Sequence, residues 1–232
     1  MRTTALKVPL ALGVAVAAFH AQATSVQVAA LRQLADLSLE QLGNIEVTSV
    51  SGRAQSLQEA AASIYVITAQ DIRRSPYTSL PEVLRLAPNL HVAQASANHY
   101  AISARGFNTS IANKLLVLVD GRTVYSTLFS GVFWDATKVP LEDVERIEVI
   151  SGPGGTLWGA NAVNGVINII TRSAADTHGV LAAVTRSTHG GREVARWGTR
   201  LGESGHLRIY GLVTDRDNTR LVATGAERDD AT

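Results

Sequence analysis

Hydrophobic and polar positions follow several different periods along this chain, and each period predicts its own kind of element. Residues 64–68 form a continuous apolar run that predicts a buried strand. Residues 70–74 predict a short helix. Apolar residues then recur on one helical face between Pro81 and Pro88, which predicts a second short helix. This part of the chain therefore mixes helical and strand periods.

More strand signals follow, and two of them flank a turn signal. Strands are predicted at residues 91–94, 101–105, 115–119, 122–125, 145–150 and 165–171. The dipeptide Asp120-Gly121 joins the third and fourth of these, as in a tight hairpin. The fifth alternates charged and apolar residues, which predicts a half-buried strand. Interleaved helices and strands predict an α+β domain with a small mixed β-sheet and short helices over residues 53–174.

Beyond this domain, the pattern changes to longer alternating segments separated by glycine-containing turns. They lie at residues 180–187, 191–201 and 206–215. Their length and spacing are typical of the antiparallel strands of an outer-membrane β-barrel. In the middle segment, Arg192, Arg196 and Arg200 share one face, which suits a wet interior opposite a mostly apolar outside. A soluble antiparallel hairpin has the same period, so periodicity alone leaves both interpretations open.

The N-terminal region has the composition of an export signal. Arg2 and Lys7 precede an apolar run at residues 8–19, and Ala21-Gln22-Ala23 is a small-x-small cleavage site. The run is too short for the roughly 20 apolar residues of a transmembrane helix. Residues 1–23 are therefore predicted to be a signal peptide, and 24–52 an extended lead-in. Because no later stretch is apolar enough for such a helix, membrane insertion would have to use β-strands.

Composition and charge narrow the functional classes. With 46% hydrophobic residues, 21 basic and 20 acidic side chains, the chain can bury a core and carries no cationic signature of nucleic-acid binding. It contains no cysteine, which excludes disulfides, thiolate metal sites and a lipoprotein anchor. Its 6 histidines lack metal-ligand spacing, and there is no Gly-x-Ser-x-Gly nucleophile motif. The glycine-rich stretch 151–156 lacks the Gly-Lys-Ser/Thr ending of a phosphate loop. We therefore expect neither an enzyme nor a bound metal or cofactor.

Three stretches resemble the plug of TonB-dependent outer-membrane receptors. They are ARGF at 104–107, LVLVDGR at 116–122 and ERIEVISGPGGTLWGANAVNGVINIITR at 145–172. The resemblance covers roughly residues 44–174. It implies that 53–174 is a plug and that 175–232 are the first, incomplete strands of a transmembrane β-barrel of about 22 strands. The function implied is active uptake of an iron-siderophore or cobalamin-like ligand across the outer membrane of a Gram-negative bacterium.

The resemblance also implies a binding segment for TonB and its inner-membrane energising complex. By position, this TonB box is Ile45, Glu46, Val47, Thr48, Ser49, Val50 and Ser51. The segment alternates β-branched and polar residues without proline, so it can add as a strand to an exposed sheet edge on a partner. The pattern fits an edge strand of the following domain equally well.

Two further sets of residues follow from the resemblance. The small-molecule ligand is expected at outward loops that carry Asn98, His99, Tyr100, Phe129, Phe133 and Trp134. The aromatic residues among them can instead pack against the barrel wall. Contacts between plug and barrel are expected at Arg105, Glu145, Arg146 and Arg172. For Glu145 and Arg146, a solvated strand face is the alternative.

The chain departs from this family in length. A barrel of that size needs far more strand residues than 180–232 supply. We therefore expect a truncated chain, which on its own can remain periplasmic. The alternative function is a freestanding periplasmic plug-like module that binds TonB or ligand without transporting.

Overall fold

The computed structural model describes residues 46–47, 55–56, 63–126, 128–129, 131–152, 158–159, 161–188, 190–217, 219–220 and 227–228. The chain divides into two units, Met1–Glu46 with Ser56–Gln58, and Val47–Gln55 with Glu59–Thr232. The predicted signal peptide lies outside the described residues, as do all members of the predicted TonB box except Glu46 and Val47. Two short strands come first, β1 (Glu46–Val47) and β2 (Gln55–Ser56), and they pair with each other.

A five-stranded mixed sheet forms the centre of the second unit. The next strands are β3 (Ser63–Thr68), β4 (Leu90–Gln94), β5 (Tyr100–Ala104), β6 (Leu115–Val119), β7 (Arg122–Thr123), β8 (Val144–Ser151) and β9 (Gly165–Thr171). The sheet order is β3-β8-β9-β6-β7, and β4 pairs with β5 in a separate hairpin. Strands β6 and β9 run parallel, whereas the other neighbours are antiparallel. The predicted α+β class with a small mixed sheet is confirmed.

The helices are short. Helix α1 (Ala69–Arg74) begins at a capping box in which Thr68 and Asp71 bond each other's backbone N–H. Helix α2 (Leu80–Val83) continues as a 3-10 turn, Leu84–Leu86. The predicted helix between Pro81 and Pro88 is therefore only partly α-helical, and the Ala87 N–H bonds the Leu84 carbonyl at 3.1 Å instead of continuing an α-helix.

Both faces of the sheet are buried, because alternate residues of its strands enter two hydrophobic clusters. Leu115 and Val117 of β6 belong to the larger cluster, and Leu116 and Leu118 belong to the smaller one. The strand predicted at residues 64–68 is confirmed, but the prediction that it is buried is wrong: β3 is an edge strand, and the side chain of Tyr65 is 39% exposed.

Strand β8 also differs from its prediction. Its alternating charges predicted a half-buried strand, but it lies between β3 and β9, and Glu148 is fully buried. The Arg146 Nε donates a 2.8 Å hydrogen bond to Glu148 Oε1, so the buried carboxylate has a charged partner.

The predicted hairpin turn is confirmed between β6 and β7. Asp120 and Gly121 have φ of 50° and 76°, as the turns that match strand twist require. The Asp120 carboxylate also accepts hydrogen bonds from the Thr171 backbone N–H at 2.7 Å and the Thr171 hydroxyl at 2.9 Å. The turn is thereby attached to the end of β9.

Three long antiparallel strands follow a 3-10 turn, Ala174–Asp176. They are β10 (Gly179–Ser187), β11 (Gly190–Leu201) and β12 (Gly205–Arg216), in that sheet order. We call this sheet the meander; its bounds agree closely with the three predicted segments. The last described strands, β13 (Thr219–Arg220) and β14 (Glu227–Arg228), pair with each other. Across the ranges that the structure describes, no helix is long and apolar enough to span a membrane.

Candidate functional site

The meander has two chemically different faces. On its inner face, Arg192 and Val194 are only 8% and 4% exposed, because this face packs on the turn before β8. On its outer face, Val180 is 81%, Val184 70% and Val213 66% exposed. The meander thus presents arginines to the sheet domain, whereas its outer face carries these exposed aliphatic side chains together with one exposed ion pair, Arg186 with Glu193.

Arg192 makes the first of the charged contacts across this interface. Its Nη1 and Nη2 donate to the two carboxylate oxygens of Glu142, at 2.9 Å and 2.5 Å. Burial alone would raise the pKa of Glu142, but the hydrogen bonds and positive charge of Arg192 outweigh it, and the pKa is lowered. Glu142 is therefore held as a carboxylate opposite its arginine.

Asp143 is the second acidic residue at this interface, and we call Glu142 and Asp143 together the acidic turn. Arg196 Nη1 donates to Asp143 Oδ1, and Arg208 Nε lies 3.8 Å from Oδ2. Arg208 also donates to the Arg172 carbonyl at 2.7 Å. Because the Asp143 side chain is 2% exposed and that of Arg196 10%, these charges are paired out of water.

The predicted plug–barrel residues occupy different places. Arg105 is exposed, in a loop, with φ of 57°. Glu145 bonds Arg146 at 2.5 Å, and Arg146 also bonds Glu148, so these ion pairs lie within β8. Arg172 contacts the meander through its backbone carbonyl. Since the structure describes only three strands of the meander, side-chain contacts of these four residues with further strands stay a prediction.

Sequence reasoning missed the acidic turn, because it treated residues 140–144 only as a helical turn. The available signal was the pair of adjacent carboxylates, Glu142 and Asp143, together with the arginines that recur at every fourth position of β11. Only the fold shows that they meet, since about 50 residues separate the partners in the chain.

The first predicted ligand loop is the β4–β5 turn. Its shape is fixed by the backbone N–H of Ala95, which donates to the His99 carbonyl at 2.8 Å, and by a 3.0 Å contact between Ser96 Oγ and His99 Nδ1. His99 is exposed and Asn98 half-buried, whereas Tyr100 belongs to β5 and is 5% exposed. Asn98 and His99 are thus accessible from outside, and the third predicted residue, Tyr100, is not. Burial raises the pKa of the Tyr100 hydroxyl.

A contact with the meander holds this loop. Arg216 of β12 donates from Nη1 to the Ala97 carbonyl at 3.2 Å, and its guanidinium carbon lies 5.8 Å from the centre of the Tyr100 ring. The loop is therefore attached to the last long strand of the meander.

The second predicted ligand loop is closed by an isolated bridge between Ser126 and Gly131. Phe129 and Phe133 contact each other edge to face, with ring centroids 4.7 Å apart, and Phe133 is 40% exposed. Trp134 instead enters the larger hydrophobic cluster and is 8% exposed. The two phenylalanines therefore offer an accessible aromatic surface.

A cavity of about 400 Å³ lies next to both loops. Asn98 and Trp134 line it from the sheet domain, and Arg192, Thr214 and Arg216 line it from the meander. Its mixed charged and aromatic lining is suited to a polar solute. Across the described ranges, no three His, Asp or Glu side chains gather as ligands for a metal ion.

Comparison with known families decides the nature of the sheet domain. Residues 56–166 match the family model described as TonB-dependent Receptor Plug Domain. They are the plug of a TonB-dependent receptor. The acidic turn and both predicted ligand loops lie inside the matched residues, the last strand of the sheet, β9, extends beyond them to Thr171, and the meander follows.

Relatives that match about three quarters of the chain are transport receptors. The chain is 33% identical over 174 residues to the vitamin B12 transporter BtuB of Vibrio vulnificus and 34% identical over 207 residues to the ferric enterobactin receptor PirA of Pseudomonas aeruginosa. The matches cover 74% and 79% of this chain but 28% and 27% of those proteins. The chain thus spans about a quarter of the length of these relatives.

Solved structures share the fold. The pyoverdine outer membrane receptor FpvA from Pseudomonas aeruginosa superposes with a TM-score of 0.60, over 75% of this chain and 25% of that one. At 22% sequence identity, this likeness shows the fold alone.

The described part of the predicted TonB box is a strand. Glu46 and Val47 form β1, and Val47 is fully buried. Strand β1 pairs with β2 in a sheet of its own and is not one of the strands of the five-stranded plug sheet, whose edges are β3 and β7. These two residues therefore have the extended backbone that strand addition needs, and they are not an edge of the plug sheet.

Proposed function

We propose that this chain is the plug-bearing part of an outer-membrane receptor for active, TonB-driven uptake of an iron-siderophore or cobalamin-like compound. In this proposal residues 1–23 direct export, 24–52 carry the TonB box, 53–174 are the plug and 175–232 begin the barrel. The plug match and the transport receptors among the relatives support it.

The two-faced meander is the observation that carries the proposal. A transmembrane barrel strand alternates polar residues toward the interior with apolar residues toward lipid. Here the inward arginines bind the acidic turn of the plug, while Val180, Val184 and Val213 are exposed. In a freestanding periplasmic module, the same aliphatic face would be an aggregation hazard in water. The transporter is therefore the better-supported of the two functions.

Ligand capture is assigned to the outward loops of the plug. Phe129 and Phe133 provide aromatic surface for an apolar or chelate ligand, and Asn98 and His99 provide polar groups on a fixed turn. The cavity between these loops and the meander gives room for a ligand to extend toward the barrel wall.

Energy coupling is assigned to Ile45, Glu46, Val47, Thr48, Ser49, Val50 and Ser51. An extended segment can add to a sheet edge of TonB, with main-chain hydrogen bonds supplying affinity. The work done on this segment then moves the plug, so transport is conformational work and no covalent bond in the ligand is broken.

The coupling role is tested by titrating the chain, lacking residues 1–23, with the periplasmic domain of the cognate TonB. We compare it with a version that lacks residues 45–51 and, as a matched control, one that lacks residues 24–30. The expected result is saturable binding that only the 45–51 deletion abolishes. No binding to any version, or equal binding to all three, would refute the assignment.

The ligand role is tested separately by tryptophan fluorescence with ferric enterobactin and cyanocobalamin as probes. Replacement of Phe133 by Ala removes an accessible ring and is expected to weaken binding of whichever probe the chain recognises. Replacement of the outer-face Trp197 by Phe is the control and leaves affinity unchanged. If neither compound binds, the proposed ligand class fails for this chain while the TonB result stands.

A further inference from the structure

Two histidines meet at the end of the meander that adjoins the 202–204 turn. Nε2 of His178 lies 2.8 Å from Nδ1 of His206, and the two rings are 4.9 Å apart at an interplanar angle of 26°. We propose that this pair is a binding site for a divalent transition-metal ion of the Cu²⁺ or Ni²⁺ class. The inference does not depend on the proposed transport function.

The backbone brings the two side chains together across an intervening strand. His178 directly precedes β10, and His206 belongs to β12, with β11 between them in the sheet. The chain before β10 can reach across because Gly198 of β11 has no side chain. A Cβ there would lie 2.1 Å from the Thr177 carbonyl oxygen. The glycine thus leaves the space through which His178 approaches β12.

Both backbones are also well anchored. The Thr177 hydroxyl donates to the carbonyls of Ser173 and Ala174, at 3.1 Å and 3.2 Å, and Thr177 is 1% exposed. His206 is held in register opposite Arg200. The two backbone positions are therefore fixed relative to each other, so metal binding has to order only the two exposed imidazole side chains.

The separation of the nitrogens favours a particular coordination geometry. Metal–imidazole bonds of about 2.0–2.1 Å place neighbouring ligands about 2.9 Å apart at a right angle and about 3.4 Å apart in a tetrahedron. The two nitrogens are 2.8 Å apart as hydrogen-bond partners, so they need to move less to reach the right-angle spacing of a square-planar or octahedral ion than to reach the tetrahedral one. Imidazole suits Cu²⁺ and Ni²⁺, and Cu²⁺ forms the stronger complex.

The pair in its metal-free form shares one proton, since one ring must donate and the other accept. When a metal ion binds, the donor ring carries its proton on its other ring nitrogen, so that both facing nitrogens give a lone pair to the ion. No third His, Asp or Glu within the described ranges completes the cluster, so water fills the remaining positions. The bound ion would connect the start of β10 to β12, two strands that are not hydrogen-bonded neighbours.

The test is a titration of the untagged chain, in detergent and a non-chelating buffer, with Cu²⁺. We expect binding of a single ion, whose electron paramagnetic resonance spectrum shows two nitrogen ligands. Replacement of His178 or His206 by Gln is expected to weaken binding at least about tenfold, because one of the two ligands is removed. Replacement of His91 by Gln is the matched control, since His91 is exposed and its Nδ1 contacts Asn108 in the plug.

The result that overturns the proposal is equally specific. Affinity that is unchanged in both pair variants, or lowered just as much by the His91 replacement, would show that the ion binds elsewhere. The spectrum of the unmodified chain gives a check that needs no variant, because fewer than two nitrogen ligands would exclude the paired site.

Discussion

The charge pairing at the acidic turn makes a quantitative prediction. Replacing Asp143 by Asn keeps the shape of the side chain but removes the negative charge that faces Arg196 and Arg208. The Asp143 and Arg196 side chains are 2% and 10% exposed, so the arginine would keep its charge with little access to water. Breaking a buried pair in this way costs roughly 3–5 kcal/mol when one partner is removed. Because Asn still accepts a hydrogen bond, we expect a loss of about 3 kcal/mol in the free energy of unfolding.

Urea unfolding in detergent micelles, followed by tryptophan fluorescence, measures this loss. The matched control is Glu145→Gln, because Glu145 also pairs with an arginine but is 49% exposed. An exposed pair is worth at most about 1 kcal/mol, so the control should change little. Combining Asp143→Asn with Arg196→Gln should recover roughly 2 kcal/mol as coupling between the two sites.

A loss of less than about 1 kcal/mol for Asp143→Asn, or one no larger than that of the Glu145 control, would contradict a buried charge pair at the acidic turn. Losses of Asp143→Asn and Arg196→Gln that simply add would contradict it as well, since independent sites show no coupling.

Substitutions at three other residues, Glu142, Tyr125 and Gly198, give further predictions. Because the folded pKa of Glu142 is lowered, its stabilising contribution is present above its unfolded value near 4.5 and is lost as pH falls through the folded pKa. The stability difference between the chain and Glu142→Gln, measured by urea unfolding, should therefore be constant near neutrality and disappear at acidic pH. Burial raises the pKa of Tyr125 to about 12, so its contribution is present below about 10 and lost in alkali. Tyr125→Phe should cost about 1 kcal/mol at neutral pH, through the lost 2.6 Å bond to a backbone carbonyl, and should flatten the alkaline unfolding profile. Gly198→Ala places a Cβ 2.1 Å from the Thr177 carbonyl oxygen and should lower the thermal midpoint, whereas Gly211→Ala, with nothing within 4 Å, should leave it nearly unchanged.

Local signals in the sequence predicted much of this fold. The Asp120-Gly121 turn needs only two residues with positive φ, and the structure has both. The three strands of the meander follow from alternation and turn glycines, which are also local. The length of helix α2 was overestimated, because the spacing of its apolar residues does not distinguish an α-helix from an α-turn followed by a 3-10 turn.

The order of the strands and the interface between the acidic turn and the meander could not be predicted from local signals. Whether β3 is an edge or β8 is central depends on which strands pair, and the pairing joins residues far apart in the chain. The acidic turn likewise acquires its role only when β11 folds back onto it. Glu145 and Arg146, the more conspicuous charges in the sequence, satisfy each other inside β8.

The position of β3 at the sheet edge has a mechanical consequence. Ser63, its first residue, pairs with Ser151 at the far end of β8, and Thr68 pairs with Arg146. Because β3 and β8 are antiparallel, the acidic turn, which directly precedes β8, lies at the opposite end of this ladder from Ser63. Tension between Ser63 and the acidic turn therefore acts along the strands and loads the rungs of the ladder together, in shear. The ion pairs of the acidic turn lie in series with the ladder and carry the same load. Under force, the edge strand would therefore resist removal until either the ladder as a whole or these ion pairs give way.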